Sequence, residues 1–178
     1  MSNTKTDLRV IKTRKGLREA FVELSLTKRI EDMKISEITT LAEIARKTFY
    51  LHYKDVMELA DDVCDTTLEQ ITSRFTRELT ADIDVIYTFL DDADKALYHL
   101  LTAVGYESFQ RRFWHAVFTD KAFDKYLDDP RFGSIAEGYL YSIVSIYKAY
   151  HDSLIKTMDV HQLAVHAANL LLNGISGE

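Results

Sequence analysis

The sequence predicts an all-α protein of about nine helices and no sheet, with an N-terminal three-helix domain over residues 1–55 and a C-terminal helical bundle over residues 56–178. Two observations predict this. The chain holds one Pro and six Gly in 178 residues, too few turn punctuators for a fold of many short strands. Apolar residues recur at three- and four-residue steps through nearly every segment, which is the period of a helix burying one face. A hydrophobic fraction of 47% is enough to fill a core. Cys64, the single cysteine, cannot close an intramolecular disulfide.

Each element follows from its spacing. Over residues 7–24, Leu8, Ile11, Leu17, Phe21 and Leu24 form one inward face, with Arg9, Lys12, Arg14, Lys15 and Arg18 between them. "LTKRIEDMK" breaks the pattern. "KISEITTL" restarts it as a short second helix with Ile35, Ile38 and Leu41 inward, and a third follows in "AEIARKTFYLHYKD". From Asp55 the period continues without a breaker to Leu79, which predicts a long connecting helix. Another helix runs from Ile83 to Leu101, and shorter ones occupy "YESFQRRFWHAVF" and "DKAFDKYL". Pro130 and Gly133 punctuate the chain, after which "IAEGYLYSIVSIYKAYHDSLIK" and "VHQLAVHAANLLLNG" read as two final helices joined near "TMD".

Charge is unevenly spread. The net charge is −6, yet residues 1–56 carry 12 Lys+Arg against 8 Asp+Glu while the remainder carries 10 against 20. A basic head on an acidic body allows a phosphate-bearing partner that the total alone would argue against. No segment approaches the ~18 consecutive apolar residues of a membrane span. The N-terminus has no apolar signal core, so a cytoplasmic protein without a membrane partner is expected.

Two short helices with a tight connection, the second bearing exposed cations and hydroxyls, make a candidate helix-turn-helix whose second helix enters the DNA major groove. Arg46 and Lys47 open that helix and can donate to guanine O6 and N7, with Thr40 on the preceding helix as a helper. Thr48, Tyr50, His52 and Lys54 are candidate phosphate holders. Phe49 and Tyr53 keep a core spacing and are expected to tie the third helix to the first through Phe21 and Leu24.

The order of these residues carries a resemblance. "ISEITTLAEIARKTFYLHYKDVMEL" resembles the DNA-binding segment of the TetR (tetracycline-repressor-like) family, whose pattern runs roughly I-x-x-I-A-x-x-A-G-V-S-x-x-T-F/L-Y-x-H/Y-F-x-x-K-x-x-L. Ile35, Ile38, Ala42, Ile44, Thr48, Phe49, Tyr50, His52, Tyr53 and Leu59 occupy its places, and "TFYLHY" is the most specific part. The closing "EGYLYSIVSIYKAY" and "LLLNGIS" are similar to a group of C-terminal domains that includes regulators of dihydroxyacetone kinase operons. The resemblance implies a homodimer that pairs through its last two helices and binds a near-palindromic double-stranded operator. It also implies a repressor whose body takes an effector.

The pattern is broken at particular positions. Glu43 stands where the turn usually has Gly, so the chain makes its turn without the residue that best tolerates positive φ, and it sets a negative charge near the phosphate track. Ala45 replaces Ser or Asn, and Lys34 replaces Thr, so both N-caps lack a side-chain acceptor worth on the order of 1 kcal/mol each. Val56 replaces a phosphate-contacting Lys, a contact that Lys54 is placed to take over.

Residues after 56 hold sixteen of the twenty aromatics, among them Tyr87, Phe89, Tyr98, Phe109, Phe113, Trp114, Phe118, Tyr139, Tyr141, Tyr147 and Tyr150. They can line a cavity for a small apolar effector or make ordinary core, and no ligand-binding residues are singled out. The last two helices are apolar around much of their circumference, as a subunit interface would require. The histidines His52, His99, His115, His151, His161 and His166 form no HExxH, no ExxH and no i, i+4 pair, and there is no GxGxxG or P-loop. No catalytic residue, metal or cofactor is therefore expected. The alternative to a ligand-responsive repressor is a regulator, an activator included, whose C-terminal domain docks a partner protein.

Overall fold

The computed structural model describes residues 3–73, 79–103, 105–119, 130–153 and 157–173, and among these it is all-α with no strand. The helices are α1 (Asn3–Ser25), α2 (Ile35–Leu41), α3 (Arg46–Phe49), α4 (Val56–Thr72), α5 (Leu79–Asp92), α6 (Lys95–Thr102), α7 (Glu107–Thr119), α8 (Pro130–Asp152) and α9 (Val160–Asn173), with a 3-10 turn at Ile30–Asp32. The chain divides into two compact units, one of residues 1–66 with 94–110 and one of residues 67–93 with 111–178.

In the first unit α1 packs against α2 and α6, and α2 against α3. Leu17, Phe21, Ile38, Phe49, Leu59 and Leu100 are fully buried, and the rings of Phe21 and Phe109 lie 6.5 Å apart. The Tyr106 hydroxyl shares its one proton between the carbonyls of Ser25, the last residue of α1, and Lys28 in the turn that follows. Gln110 Nε2 donates to the carbonyls of Leu100 (3.1 Å) and Ala103 (2.8 Å) at the end of α6.

The expected inward face of the first helix is right only in its second half. Leu8 and Ile11 are 54% and 58% exposed, because α1 reaches its packing partners through Leu17, Ala20 and Phe21 and its first turns continue the same period into solvent. Leu41 is likewise 47% exposed, as the last residue of a seven-residue helix that packs through Ile38.

The second unit packs α9 against α5 and against α8. Its core holds Ile83, Ile86, Tyr87, Leu90, Phe113, Ile143, Tyr147 and Ala164. Both buried tyrosines spend their hydroxyls inside: Tyr87 donates to the Ile143 carbonyl at 2.9 Å, Tyr147 to Asp91 Oδ1 at 3.0 Å, and the two rings sit 5.2 Å apart. Asp159 caps α9 by accepting from Gln162 N–H (2.8 Å), and the Gln162 side chain returns to accept from Asp159 N–H (3.1 Å). His161 Nδ1 lies 2.9 Å from Asp84 Oδ1, joining α9 to α5. Among the described side chains of α9, His161, Gln162, His166, Asn169 and Leu170 are exposed.

Three boundaries differ from the expected ones. The connecting helix ends at Thr72 instead of Leu79. The predicted helix from Ile83 to Leu101 is two helices, parted because Asp94 turns its carboxylate back to accept from Ala96 N–H (3.0 Å) and Leu97 N–H (2.9 Å). Pro130 opens α8, a position that needs no N–H donor, and the helix runs on through Gly133. The helix expected in "DKAFDKYL" lies outside the described residues, as do the side chains of Trp114, Phe118 and Tyr139.

Candidate nucleic-acid interface

The connection between α2 and α3 is a Schellman turn. Ile44 N–H donates to the Thr39 carbonyl (2.9 Å) and Glu43 N–H to the Thr40 carbonyl (3.2 Å), which satisfies the last carbonyls of α2. Such a turn requires one residue of positive φ, and here that residue is Glu43 at φ 55°, the one non-glycine residue of positive φ among the described residues. Glu in place of Gly costs roughly 1 kcal/mol at this backbone conformation. The turn forms anyway because both ends are held: Ile38 and Thr39 are buried on one side and Phe49 on the other.

The two missing caps are partly replaced. Lys34 offers no acceptor to α2, but Glu37 Oε2 accepts the Lys34 N–H at 3.1 Å while its other oxygen meets Lys28 Nζ. The Lys28 ammonium first, and then the Lys34 N–H, hold the Glu37 carboxyl below its ordinary range. Ala45 caps α3 with its backbone alone, in an extended conformation.

Arg46 and Lys47 occupy the first two positions of α3 and are exposed; Tyr50, Lys54 and Thr40 are also exposed, and Thr48 and His52 are half-buried. The hydroxyl of Thr40 donates back to the Ser36 carbonyl at 2.7 Å, so that donor is already engaged within α2. Phe49 and Tyr53 are core, at 0% and 3% exposure, with rings 5.7 Å apart. α3 is short: Tyr50 is its C-cap, and His52 and Lys54 belong to the turn leading into α4. Within the set, Arg46 and Tyr50 are in direct contact, Arg46 Nη2 donating to the Tyr50 hydroxyl at 3.2 Å.

A residue with no signal in the sequence, Asp62, holds this surface in place. Asp62 on α4 accepts from the Tyr53 hydroxyl (2.5 Å), Arg14 Nη2 (2.5 Å) and Arg18 Nη1 (2.9 Å), and Arg14 Nε also donates to the Tyr53 oxygen (3.2 Å). Tyr53 thus ties the end of the α3 segment to α1 and α4 through polar partners, Arg14 on α1 and Asp62 on α4. Burial pushes the Asp62 carboxyl up, but the Tyr53 and Arg18 hydrogen bonds and the charges of Arg14 and Arg18 outweigh it and hold it below the usual range. At the start of α4, Glu58 N–H donates to Asp55 Oδ1 (2.9 Å) and Glu58 Oε2 accepts from Lys54 N–H (2.7 Å). The spacing Asp55-x-x-Glu58 is a capping signature legible in the sequence. It places two carboxylates beside Val56.

Among the described residues there is no group of three or more His, Cys, Asp and Glu side chains able to hold a metal ion, and no helix long and apolar enough to cross a membrane.

No family model matches the chain. It is 33% identical over 100 residues to the uncharacterized HTH-type transcriptional regulator YxbF of Bacillus subtilis (strain 168), a match taking in 56% of this chain and 25% of that protein, so the shared part is about a quarter of the relative. Among solved structures it superposes on the dihydroxyacetone kinase operon activator DhaS at TM-score 0.55 and 20% identity, over 92% of this chain and 96% of that one. A TetR-family transcriptional regulator from Streptomyces coelicolor gives TM-score 0.58 at 14% identity, over 90% and 81% of the two chains. NalD, the secondary repressor of the MexAB-OprM multidrug efflux pump in Pseudomonas aeruginosa, gives 0.54 at 16%, over 93% and 96%. The chain has the all-α fold of TetR-family regulators, with a helix-turn-helix in its first unit.

Proposed function

We propose that this chain is a TetR-like transcriptional regulator that acts by binding DNA, with residues 1–55 as its DNA-binding domain and residues 56–178 as its effector-binding and dimerisation domain. One observation carries the reading. A Schellman turn at Glu43 delivers a short helix whose apolar side chain, Phe49, is buried while Arg46, Lys47 and Tyr50 stand in solvent, the arrangement a major-groove reading helix needs. In this reading Arg46 and Lys47 contact base edges, helped by Thr40, and Thr48, Tyr50, His52 and Lys54 hold phosphates. The protein is a cytoplasmic homodimer pairing through α8 and α9, so its operator is near-palindromic with half-sites one or more helical turns apart. It is a repressor that an apolar effector releases; the likeness in fold to an operon activator keeps open an activator whose body docks another protein.

The test is binding to DNA from upstream of the protein's own gene across a salt series, with random DNA as control, alongside a measurement of mass in solution. Specific binding by a dimer, with base preference relaxed by ~1–3 kcal/mol in Arg46→Ala, is the expected result. Equal affinity for both DNAs at every salt concentration removes the reading.

A further inference from the structure

Resting on the DNA-binding reading, the contact between Arg46 and Tyr50 bears on how base preference is set. The two residues are one helical turn apart. The Arg46 guanidinium carbon stands 5.8 Å from the centroid of the Tyr50 ring while Nη2 donates to the Tyr50 hydroxyl at 3.2 Å, so ring and oxygen hold the guanidinium at two places. The ring of Tyr50 is itself set edge-on to Phe49, at 5.7 Å and 85°, and Phe49 is fully buried. A line of contacts therefore runs from the core of the unit to the tip of an exposed arginine.

We infer that Tyr50 is the positioning residue of Arg46, and that the pair, not Arg46 alone, sets the preference for guanine at one position of each half-site. An unrestrained arginine at the surface must surrender its side-chain freedom when it meets a base, for any base alike. A guanidinium already held by a ring has surrendered much of it, and its direction is chosen before DNA arrives. Arginine has five N–H donors in a rigid fork; the Tyr50 oxygen occupies one and leaves a pair for the O6 and N7 acceptors of guanine. Adenine presents a donor where guanine presents O6, so a fork that cannot swing away discriminates where a loose one adapts. The Tyr50 hydroxyl accepts from Arg46 and keeps its own proton to donate to a phosphate, so the phosphate and base contacts are linked through one oxygen.

The experiment is a double-mutant cycle in base preference. Each base pair of the site is replaced in turn, and binding is measured for wild type, Arg46→Ala, Tyr50→Leu, Tyr50→Phe and Arg46→Ala/Tyr50→Leu, with helicity checked by circular dichroism. The position at which Arg46→Ala abolishes the preference identifies the guanine. There, Tyr50→Leu is expected to lower the guanine-over-adenine ratio at least fivefold, with Tyr50→Phe, which keeps the ring, falling between it and wild type. In the Arg46→Ala background the ratio no longer responds to Tyr50→Leu. Arg46→Lys, which can lie on the ring but cannot fork, also loses the ratio. Unchanged base ratios in Tyr50→Leu, with affinity lowered evenly on all sequences, overturn the inference and leave Tyr50 a phosphate holder only. A wild type with no base preference anywhere overturns the DNA-binding reading itself.

Discussion

Replacing Asp62 with Asn removes one negative charge from a cluster in which a single carboxylate serves Tyr53, Arg14 and Arg18. The Asp62 side chain is 16% exposed, Arg18 23% and Arg14 43%, so solvent reaches the arginines and screens both pairs. Each ion pair is then worth ~0.2–1 kcal/mol, close to the surface value. The Tyr53 hydroxyl is buried, and its bond to an ionised acceptor is worth ~1.5–3 kcal/mol, about half of which a neutral Asn oxygen retains. The expected loss for Asp62→Asn is about 2 kcal/mol at neutral pH. Its pH dependence follows from the folded carboxyl lying below its unfolded value of ~3.9. The extra stability is fully present above that unfolded value and disappears as pH falls through the folded one. Urea unfolding followed by far-ultraviolet circular dichroism at pH 7 and at successively lower pH reads the difference between the two proteins. It should shrink toward zero in acid, where protonated Asp62 matches Asn in shape and charge. A difference under about 0.5 kcal/mol at pH 7, or one that persists unchanged in acid, refutes the account of Asp62 as an ionised hub.

Other outcomes can be checked with the same protein. Glu43→Gly relieves the positive-φ strain while adding freedom to the unfolded chain, for a net stabilisation of about 0.5 kcal/mol, whereas Glu43→Val loses about 1 kcal/mol or more; equal thermal midpoints for all three contradict the strained turn. Lys54→Ala lowers the slope of log affinity against log salt by about 0.9 on every DNA if Lys54 holds one phosphate, and leaves base preference alone; an unaltered slope excludes the contact. Cys64 is 1% exposed, and burial, with the charge of Asp65, pushes its thiol up to about 12. A disulfide reagent at pH 8 labels it only after unfolding, and rapid labelling of the native protein would show that α4 opens locally.

What sequence alone determined here is what its local signals encode. Helical periodicity in a chain with one Pro specified the class and placed α2, α7 and α9 within a few residues, whereas the third helix, expected within residues 42–55, is only Arg46–Phe49. The same periodicity concealed the break at Asp94, because a helical period runs straight across it and Leu97 stands where Asp159 has Gln162 to complete a capping box. The turn was legible through Glu43, since one residue between α2 and α3 must take positive φ whatever its side chain. Burial of Phe49 and Tyr53 was legible too, but not what Tyr53 does there.

Tertiary structure decided the rest, because it depends on which elements meet. Arg14 and Arg18 read from sequence as part of a basic outer face, and only a fold that brings together residues 48 and 44 positions apart makes them partners of Asp62. Leu8 and Ile11 share the period of Leu17 and Phe21, yet they stay in solvent, since a period marks a face without stating how far along the helix its partners extend. In the same way Arg46 and Tyr50 carry their chemistry in their side chains, while the contact that joins them follows from a buried Phe49 holding the ring in place.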